Sequence, residues 1–561
     1  MPPNQTKLSS SLTMASSTSD NLLQGPDGRP EIRLKNGLVV IGTVNETYEA
    51  HTIYHAYRGI PFAVPPLGEL RFKPPVPLPK NLTGYTIDAS QDKSQCVQMI
   101  IPALGSEDCL YINVYTPAIH KTSQLLPVMM WIHGGGFVYL NNSYYRYGPD
   151  FILEEDVIFV SVNYRLGVFG WLTTDDKAAP GNYGLKDQIL ALHWIKDNIE
   201  SFGGNSSRVT ISGQSAGAVC ASYLSHTSLT KGLFQSAIFH SGTSINLWSL
   251  TRNKEPTAYL CGDYLKINAT SSEALVDALR KVDYRDLAKA QFATAVKVNL
   301  AVTKNILSGL PYGPTVEPDH SGAVVTNHSY EQLRNGLFHR IPYLMGFNSQ
   351  EILAFEAAIK ALKAFLIKYY ALPNALVPAS LNIKKSRVKD NINSIIKSHY
   401  FGNNPLTISD EQIIQFLSDD QFNRPIIEAG RLYSAYTPVY FYEFDYKGSI
   451  GSPEGVSHSE ELHYLFKRQY LETKQTESDL LTRKRLVKMW TNFIKTGNPT
   501  PTNDLLLQNV KWPLANVSES FSLRYLSINR TLKVKSKPKW KQFLFWVDLF
   551  EKYGNPPFTT Y

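Results

Sequence analysis

Four apolar runs of strand length, at residues 111–115, 127–133, 157–163 and 209–212, constrain this chain more than any other feature. A strand solvated on one face alternates apolar and polar residues. Near-continuous apolar runs are what strands buried on both faces require. Between the third and fourth run, residues 185–199 carry Ile189, Leu190, Leu192, Trp194 and Ile195 at helical spacing. Strand, helix, strand at this distance predicts a parallel sheet with crossover helices. Further strands are expected at 38–44, 52–57, 236–241, 343–346 and 439–444. The proline-rich 59–79 stretch is expected to be an extended surface segment, because proline cannot join a ladder interior. Residues 354–370 and 410–435 read as helical and are expected to cap one edge of the sheet.

At roughly 150 residues per domain, 561 residues correspond to three or four domains. No Gly/Ser-rich or Pro-rich linker divides the middle of the chain, which argues against separate beads. Residues 1–28, rich in Ser, Thr, Asn and Gly, read as a disordered lead-in. The expectation is one domain over 29–550, with the cap at about 354–435 and a tail at 551–561.

Lysine and arginine exceed aspartate and glutamate, 56 to 48, for a net charge of +8. The surplus is spread along the chain. Lys533, Lys535, Lys537, Lys539 and Lys541 alternate, as on the solvated face of a strand or extended segment. No recognition motif accompanies the charge, so no nucleic-acid partner is expected. No apolar run reaches about 18 residues, so no membrane span is expected. Four cysteines in a chain this long exclude a disulfide-framework protein.

Chemistry enters with Gly213-Gln214-Ser215-Ala216-Gly217, which follows the 209–212 strand and precedes a helical stretch at 218–224. Small residues at this junction allow a sharp turn that exposes a serine hydroxyl at the head of a helix. A second motif, His133-Gly134-Gly135-Gly136-Phe137, ends the 127–133 strand. Consecutive glycines let backbone N–H groups turn outward at φ values other residues avoid. Acyl transfer needs such donors where a carbonyl oxygen becomes an oxyanion. Gly135, Gly136 and the N–H of Ala216 are the candidates. A phosphate loop would want a following Lys-Ser/Thr, which is absent. On α/β-hydrolase folds the nucleophilic serine is followed along the chain by an acid and then a histidine. Thirteen histidines leave the base open on composition alone.

With these motifs stand Tyr57-Arg58-Gly59-Ile60-Pro61-Phe62-Ala63, Leu70-Arg71-Phe72, Ser106-Glu107-Asp108-Cys109-Leu110-Tyr111-Ile112-Asn113-Val114, Asn163-Tyr164-Arg165-Leu166-Gly167, Gly184-Leu185-Lys186-Asp187-Gln188, Phe202-Gly203-Gly204 and Trp490-Thr491-Asn492-Phe493. In order and over about residues 30–550, the chain resembles the type-B carboxylesterase/lipase family, which includes cholinesterases and insect esterases. The resemblance implies an α/β-hydrolase fold: a large, mostly parallel central sheet flanked by helices, with helical cap insertions. It implies a serine esterase that needs no cofactor and no metal, acts on a small-molecule ester and works as a monomer or homodimer. It further implies that Glu351, in Gly346-Phe347-Asn348-Ser349-Gln350-Glu351, is the acid, although Ile352 follows where the family usually has glycine. His458, in Gly455-Val456-Ser457-His458-Ser459-Glu460-Glu461, is implied as the base, and His463 is its nearest rival. The family places a disulfide at Cys96 and Cys109. Cys220 reads as a buried small hydrophobe, and Cys261 lacks an obvious partner.

Three details bear on the ester. The loop between Cys96 and Cys109 has no Trp, whereas cholinesterases use one there to hold a quaternary ammonium, so no cation–π cage is evident. Gln214 stands where many members have glutamate, and the Gly-Gln-Ser-Ala-Gly variant resembles that of insect juvenile hormone esterases. Trp248 matches an acyl-pocket aromatic, and Phe137 and Gln214 are expected beside it. A hydrophobic neutral ester is therefore expected: a hormone, an odorant or pheromone, or a xenobiotic. Juvenile hormone specifically is the alternative, and a lipase or a non-catalytic adhesion protein are remoter rivals. The first 28 residues show no apolar core of an export signal. Yet nine Asn-x-Ser/Thr sequons occur, at Asn4, Asn45, Asn81, Asn141, Asn205, Asn268, Asn327, Asn516 and Asn529. Those sequons and the cysteine pair point to a secreted glycoprotein, and the missing signal to the cytoplasm as the alternative.

Overall fold

The computed structural model describes residues 23–24, 28–118, 124–252, 255–302, 309–368, 374, 376–402, 404–469, 475–515 and 523–561. Most of the 1–28 lead-in and the sequons at Asn4 and Asn516 lie outside the described residues. Within the lead-in, β1 (Leu23–Gln24) pairs antiparallel with β2 (Pro30–Arg33). These two join β3 (Val39–Ile41) and β6 (Thr86–Asp88) in a small four-stranded sheet.

The body is an eleven-stranded sheet in the order β15-β14-β13-β12-β11-β10-β8-β9-β7-β5-β4. Its parallel centre comprises β8 (Leu126–Ile132), β9 (Ile158–Val162), β10 (Gly204–Gln214), β11 (Ser236–His240), β12 (Tyr343–Asn348), β13 (Val439–Phe444) and β14 (Arg524–Ile528). Antiparallel strands close both margins: β4 (Thr43–Glu46), β5 (Ile53–Pro61) and β7 (Tyr111–Pro117) on one side, β15 (Leu532–Ser536) on the other. The continuous apolar runs explain the centre. β8, β9, β11, β12 and β13 are buried along their whole length. Their side chains alternate between two cores. Val128, Met130 and Ile132 enter one, and Met129 and Trp131 the other. The alternating lysines begin on β15, where Lys533 and Lys535 are exposed on an edge strand, a position where charge discourages pairing with another chain.

Two expectations are corrected. The 38–44 strand is two strands in different sheets. They part at Gly42, where a Cβ would lie 2.6 Å from the Tyr57 ring and 2.7 Å from the Ala56 carbonyl. The 59–79 segment is not all surface: β5 runs through Pro61, and Phe62 and Phe72 are buried because their rings join the larger core. Among the described residues, no helix is long and apolar enough to cross a membrane.

Crossovers are helical: α1 (Tyr183–Asn198) precedes β10 and α2 (Ala216–Leu224) follows it. In the 354–435 region lie α3 (Glu356–Lys368), α4 (Ser386–Tyr400), α5 (Asp410–Ser418) and α6 (Arg424–Ser434). Then come α7 (Glu477–Thr496) and α8 (Trp540–Tyr553).

Several motif residues act as internal braces. Arg71 grips Glu107 at 2.7 and 2.6 Å and donates to the carbonyls of Leu279, Arg280 and Val282. Arg165 grips Asp187 through Nε at 2.9 Å and Nη2 at 2.7 Å, with both side chains buried. Lys186 pairs with the buried Glu317 at 2.6 Å. Asp187→Ala strands a buried guanidinium, which costs about 3–5 kcal/mol. A lowered urea or thermal midpoint checks this, and an unchanged midpoint contradicts it.

Candidate active site

The parallel register brings one end of each central strand to the same place. Gln214 pairs with His240, His240 with Gly346, and Gly213 with both Ile132 and Phe239. Ser215 therefore leaves β10 between the ends of β8 and β11, the crevice where open α/β sheets bind ligands. Its backbone adopts φ 57° and ψ −125°. Its N–H donates to the His240 carbonyl at 2.8 Å, and its own carbonyl accepts from Val219 N–H at 3.0 Å in the first turn of α2. The flanking glycines are required by close approach. A Cβ on Gly213 would stand 2.3 Å from the Gly217 carbonyl, and one on Gly217 2.1 Å from the Ile132 carbonyl. Ser215 itself is largely buried, with 9% exposure.

The glycine loop lies against this turn: a Cβ on Gly134 would come 3.1 Å from that of Ser215. Gly135 at φ 102° and Gly136 at φ 58° occupy backbone space that L side chains rarely adopt. In the turn's own hydrogen bonds Gly135 serves as acceptor, from Val138 and Tyr139. Its N–H is not spent there, nor is that of Gly136. Ala216 is the first residue of α2, where helical N–H groups lack an intrahelical partner. His133 anchors the loop. It stacks on Tyr164 at 4.5 Å, and burial pushes its pKa down to about 4, so the ring is neutral at physiological pH.

Glu351 and His458, more than 100 residues apart in sequence, meet with Oε2 2.5 Å from Nδ1. Glu351 is fully buried, and its Oε1 accepts from Asn348 N–H at 2.8 Å. The rings of Phe422 and Phe355 cover His458 at 4.9 and 5.5 Å. On its other nitrogen, Nε2, the imidazole meets the Gln214 amide at 2.9 Å. The rival His463 points elsewhere. Its Nδ1 lies 3.1 Å from Arg468, and burial, then the Arg468 charge, push its pKa down to about 3.

Behind the pair runs a buried network. Asn348 Nδ2 donates to the Ser457 carbonyl at 2.8 Å and to Glu461 Oε2 at 2.5 Å. Glu461 faces His240 at 3.3 Å, and Trp490 Nε1 donates to His240 Nε2 at 3.2 Å. Burial opposes ionisation of Glu461, but contact with His240 and Asn348 outweighs it and holds the carboxyl below its ordinary value. Sequence reasoning missed Asn348, Glu461 and His240 as a set. The available signal was that Asn348 and Glu461 belong to the segments supplying the acid and the histidine.

Trp248 lies between Phe137, next to the glycine loop, and Phe422, which covers His458. The Trp248 ring is 6.4 Å from Phe137 and 5.6 Å from Phe422, and its Nε1 donates to the Gln421 carbonyl at 2.9 Å. Cys96 and Cys109 are joined by a disulfide. Cys220 and Cys261 are buried free thiols, and burial pushes that of Cys220 up to about 12. Among the described residues no group of three or more His, Cys, Asp or Glu could hold a metal ion.

The site thus gathers a serine in a strained turn, a glycine loop lying against it, and an imidazole–carboxylate couple whose Nε2 contact is with the neighbouring Gln214, the kinds of group that covalent acyl transfer uses. Comparison with known proteins bears on that chemistry. A profile of the carboxylesterase family matches residues 28–546. The chain is 35% identical over 528 residues to a juvenile hormone esterase of Tribolium castaneum, covering 87% of each chain. It is 33% identical over 553 residues to carboxylesterase 1D of Rattus norvegicus, covering 94% of each. Among solved structures it resembles juvenile hormone esterase from Manduca sexta with OTFP covalently attached. That match has a TM-score of 0.79 and 26% identity, and covers 93% of this chain and 99% of that one. It also resembles PNB esterase, with a TM-score of 0.73, 28% identity and coverage of 92% and 99%.

The two histidines separate in a direct comparison. His458→Ala lowers kcat for ester hydrolysis by at least about a thousandfold, whereas His463→Ala leaves it within about threefold. Steady-state kinetics on both variants, with circular dichroism to verify the fold, checks the assignment.

Proposed function

The chain belongs to the carboxylesterase family and is a serine carboxylic ester hydrolase, and we propose that it acts through Ser215, His458 and Glu351 on hydrophobic, uncharged esters. Ser215 Oγ attacks the acyl carbonyl while His458 Nε2 takes its proton. Glu351 accepts Nδ1–H, holds that tautomer and stabilises the imidazolium. The N–H groups of Gly135, Gly136 and Ala216 receive the oxyanion. His458 returns the proton to the departing alkoxide, and the alcohol leaves. Water, deprotonated by His458, then attacks the acyl-enzyme and frees the acid and the serine. The observation that carries the reading is the 2.5 Å contact between the fully buried Glu351 carboxylate and His458 Nδ1. With Nδ1–H donated to Glu351, Nε2 is an acceptor. In the free enzyme it accepts a hydrogen bond from the Gln214 amide N–H, a contact that yields when Ser215 engages.

The substrate reading rests on the walls. Phe137, Trp248, Phe355 and Phe422 form an aromatic chain from the glycine loop to His458. Gln214 places a neutral amide, not a carboxylate, beside the imidazole. That amide supplies no negative charge to hold a cation. Within neutral esters, juvenile hormone is the second reading, favoured by the Gln214 variant of the serine motif and the similarity to juvenile hormone esterases.

Ser215→Ala cuts turnover at least about a thousandfold and leaves the fold intact. Hydrolysis that survives this change sinks the mechanism. On a panel of short aryl, long-chain, choline and juvenile-hormone-like esters, neutral apolar esters give the highest kcat/KM. A choline ester at the top of the panel overturns the substrate reading.

A further inference from the structure

Residues 559–561 lie far in sequence from every catalytic group, yet they pack into the pocket's supports. Tyr561 is buried, its ring 4.2 Å from Phe550 and stacked at 5.5 Å on Tyr330. Its N–H donates to the Ile245 carbonyl at 2.9 Å. Arg252 Nη2 donates to the hydroxyls of Thr560 at 2.5 Å and Thr559 at 3.3 Å. The same guanidinium, through Nη1, donates to the carbonyls of Leu247 at 2.5 Å and Leu250 at 3.1 Å. Ile245 and Arg252 thus bracket the loop that carries Trp248.

The opposite wall is reached as well. Trp248 Nε1 and Asn246 Nδ2 converge on the Gln421 carbonyl at 2.9 and 2.8 Å. Gln421 sits in a π-helical turn, Asp419–Asn423, which also carries Phe422 against His458. A π-turn has poorer intrinsic stability than an α-turn and persists where its surroundings hold it. Arg424, the next residue, pairs with Asp420 at 2.6 Å, and its guanidinium lies over the rings of Trp546, Phe550 and Tyr561 at 4.6, 5.3 and 5.8 Å.

We propose that Thr559, Thr560 and Tyr561 form a positioning segment: by clamping the 245–252 loop and, through Arg424, the 419–423 turn, they set the gap between Trp248 and Phe422 and so determine which acyl groups fit. This rests on the reading of Trp248 as a pocket wall. A misfit of methylene size in an apolar pocket changes discrimination by about 10-fold or more, so a small displacement of either wall is enough to be measured.

The test uses the full chain and p-nitrophenyl esters of increasing acyl length and branching. Wild type is compared with Tyr561→Ala, Tyr561→Phe, Arg252→Gln and Trp248→Ala, with kcat and KM measured separately. Tyr561→Ala and Arg252→Gln are expected to change the ratio of long-acyl to acetyl kcat/KM by about tenfold, mainly through KM, in the direction set by Trp248→Ala. Acetyl kcat per titratable serine stays within about twofold. Tyr561→Phe, which keeps the stacking, behaves as wild type. A loss equal for every acyl length, or no change, overturns the proposal. If Trp248→Ala alone shifts acyl preference, the wall reading stands and the tail proposal falls. If Trp248→Ala shifts nothing, the wall reading falls and takes the proposal with it.

Discussion

Ser215 sits at φ 57° and ψ −125°, a backbone conformation that costs an L-residue on the order of 1–3 kcal/mol, and much of the surrounding architecture serves to hold it there. Both its peptide groups are engaged, the N–H by the end of β11 and the carbonyl by the first turn of α2. The turn is flanked by glycines with no room for a side chain. The buried strands on either side cannot shift register without sending whole side-chain rows into the wrong core. The sheet is therefore part of the chemistry. It supplies the rigidity that keeps Ser215 in a strained turn against the glycine loop.

The second half of the site depends on the same sheet. Glu351 follows β12 and His458 follows β13, and the Gly346–Tyr442 register aligns the two strand ends. Asn348 links them, with its backbone N–H on Glu351 and its amide on the Ser457 carbonyl and Glu461. A buried carboxyl group needs hydrogen bonds in place of its lost hydration. Glu351 has two such contacts, with Asn348 N–H and the His458 imidazole.

Much of this was legible in the residues. Apolar runs too continuous for a one-faced sheet marked the central strands, and a Gly-x-Ser-x-Gly between strand and helix marked the turn. A run of three glycines at another strand end marked the donors. Glu351 and His458 were not legible from local pattern, because nothing local distinguishes this acid from 47 other carboxylates or this histidine from His463. Resemblance to a family pointed to them, and the structure brings them together. The split at Gly42 was hidden, since a glycine in an apolar run does not announce that a neighbouring strand crosses its face. The Arg71–Glu107 and Arg165–Asp187 braces were quoted as motif residues without their partners. Such pairing joins positions dozens of residues apart and leaves no periodic trace. The contact of Gln214 with His458 was invisible for the same reason, although its neutrality was not.

If the proposed mechanism holds, one hydroxyl, activated in this strained turn, carries the acyl group. Stoichiometric reaction with an organophosphate, followed by intact-mass analysis and peptide mapping, tests it most directly. The predicted result is one adduct per chain, on Ser215, forming much more slowly when Glu351 is replaced by glutamine. An adduct mapped to any other serine, or one whose formation is indifferent to Glu351, contradicts it.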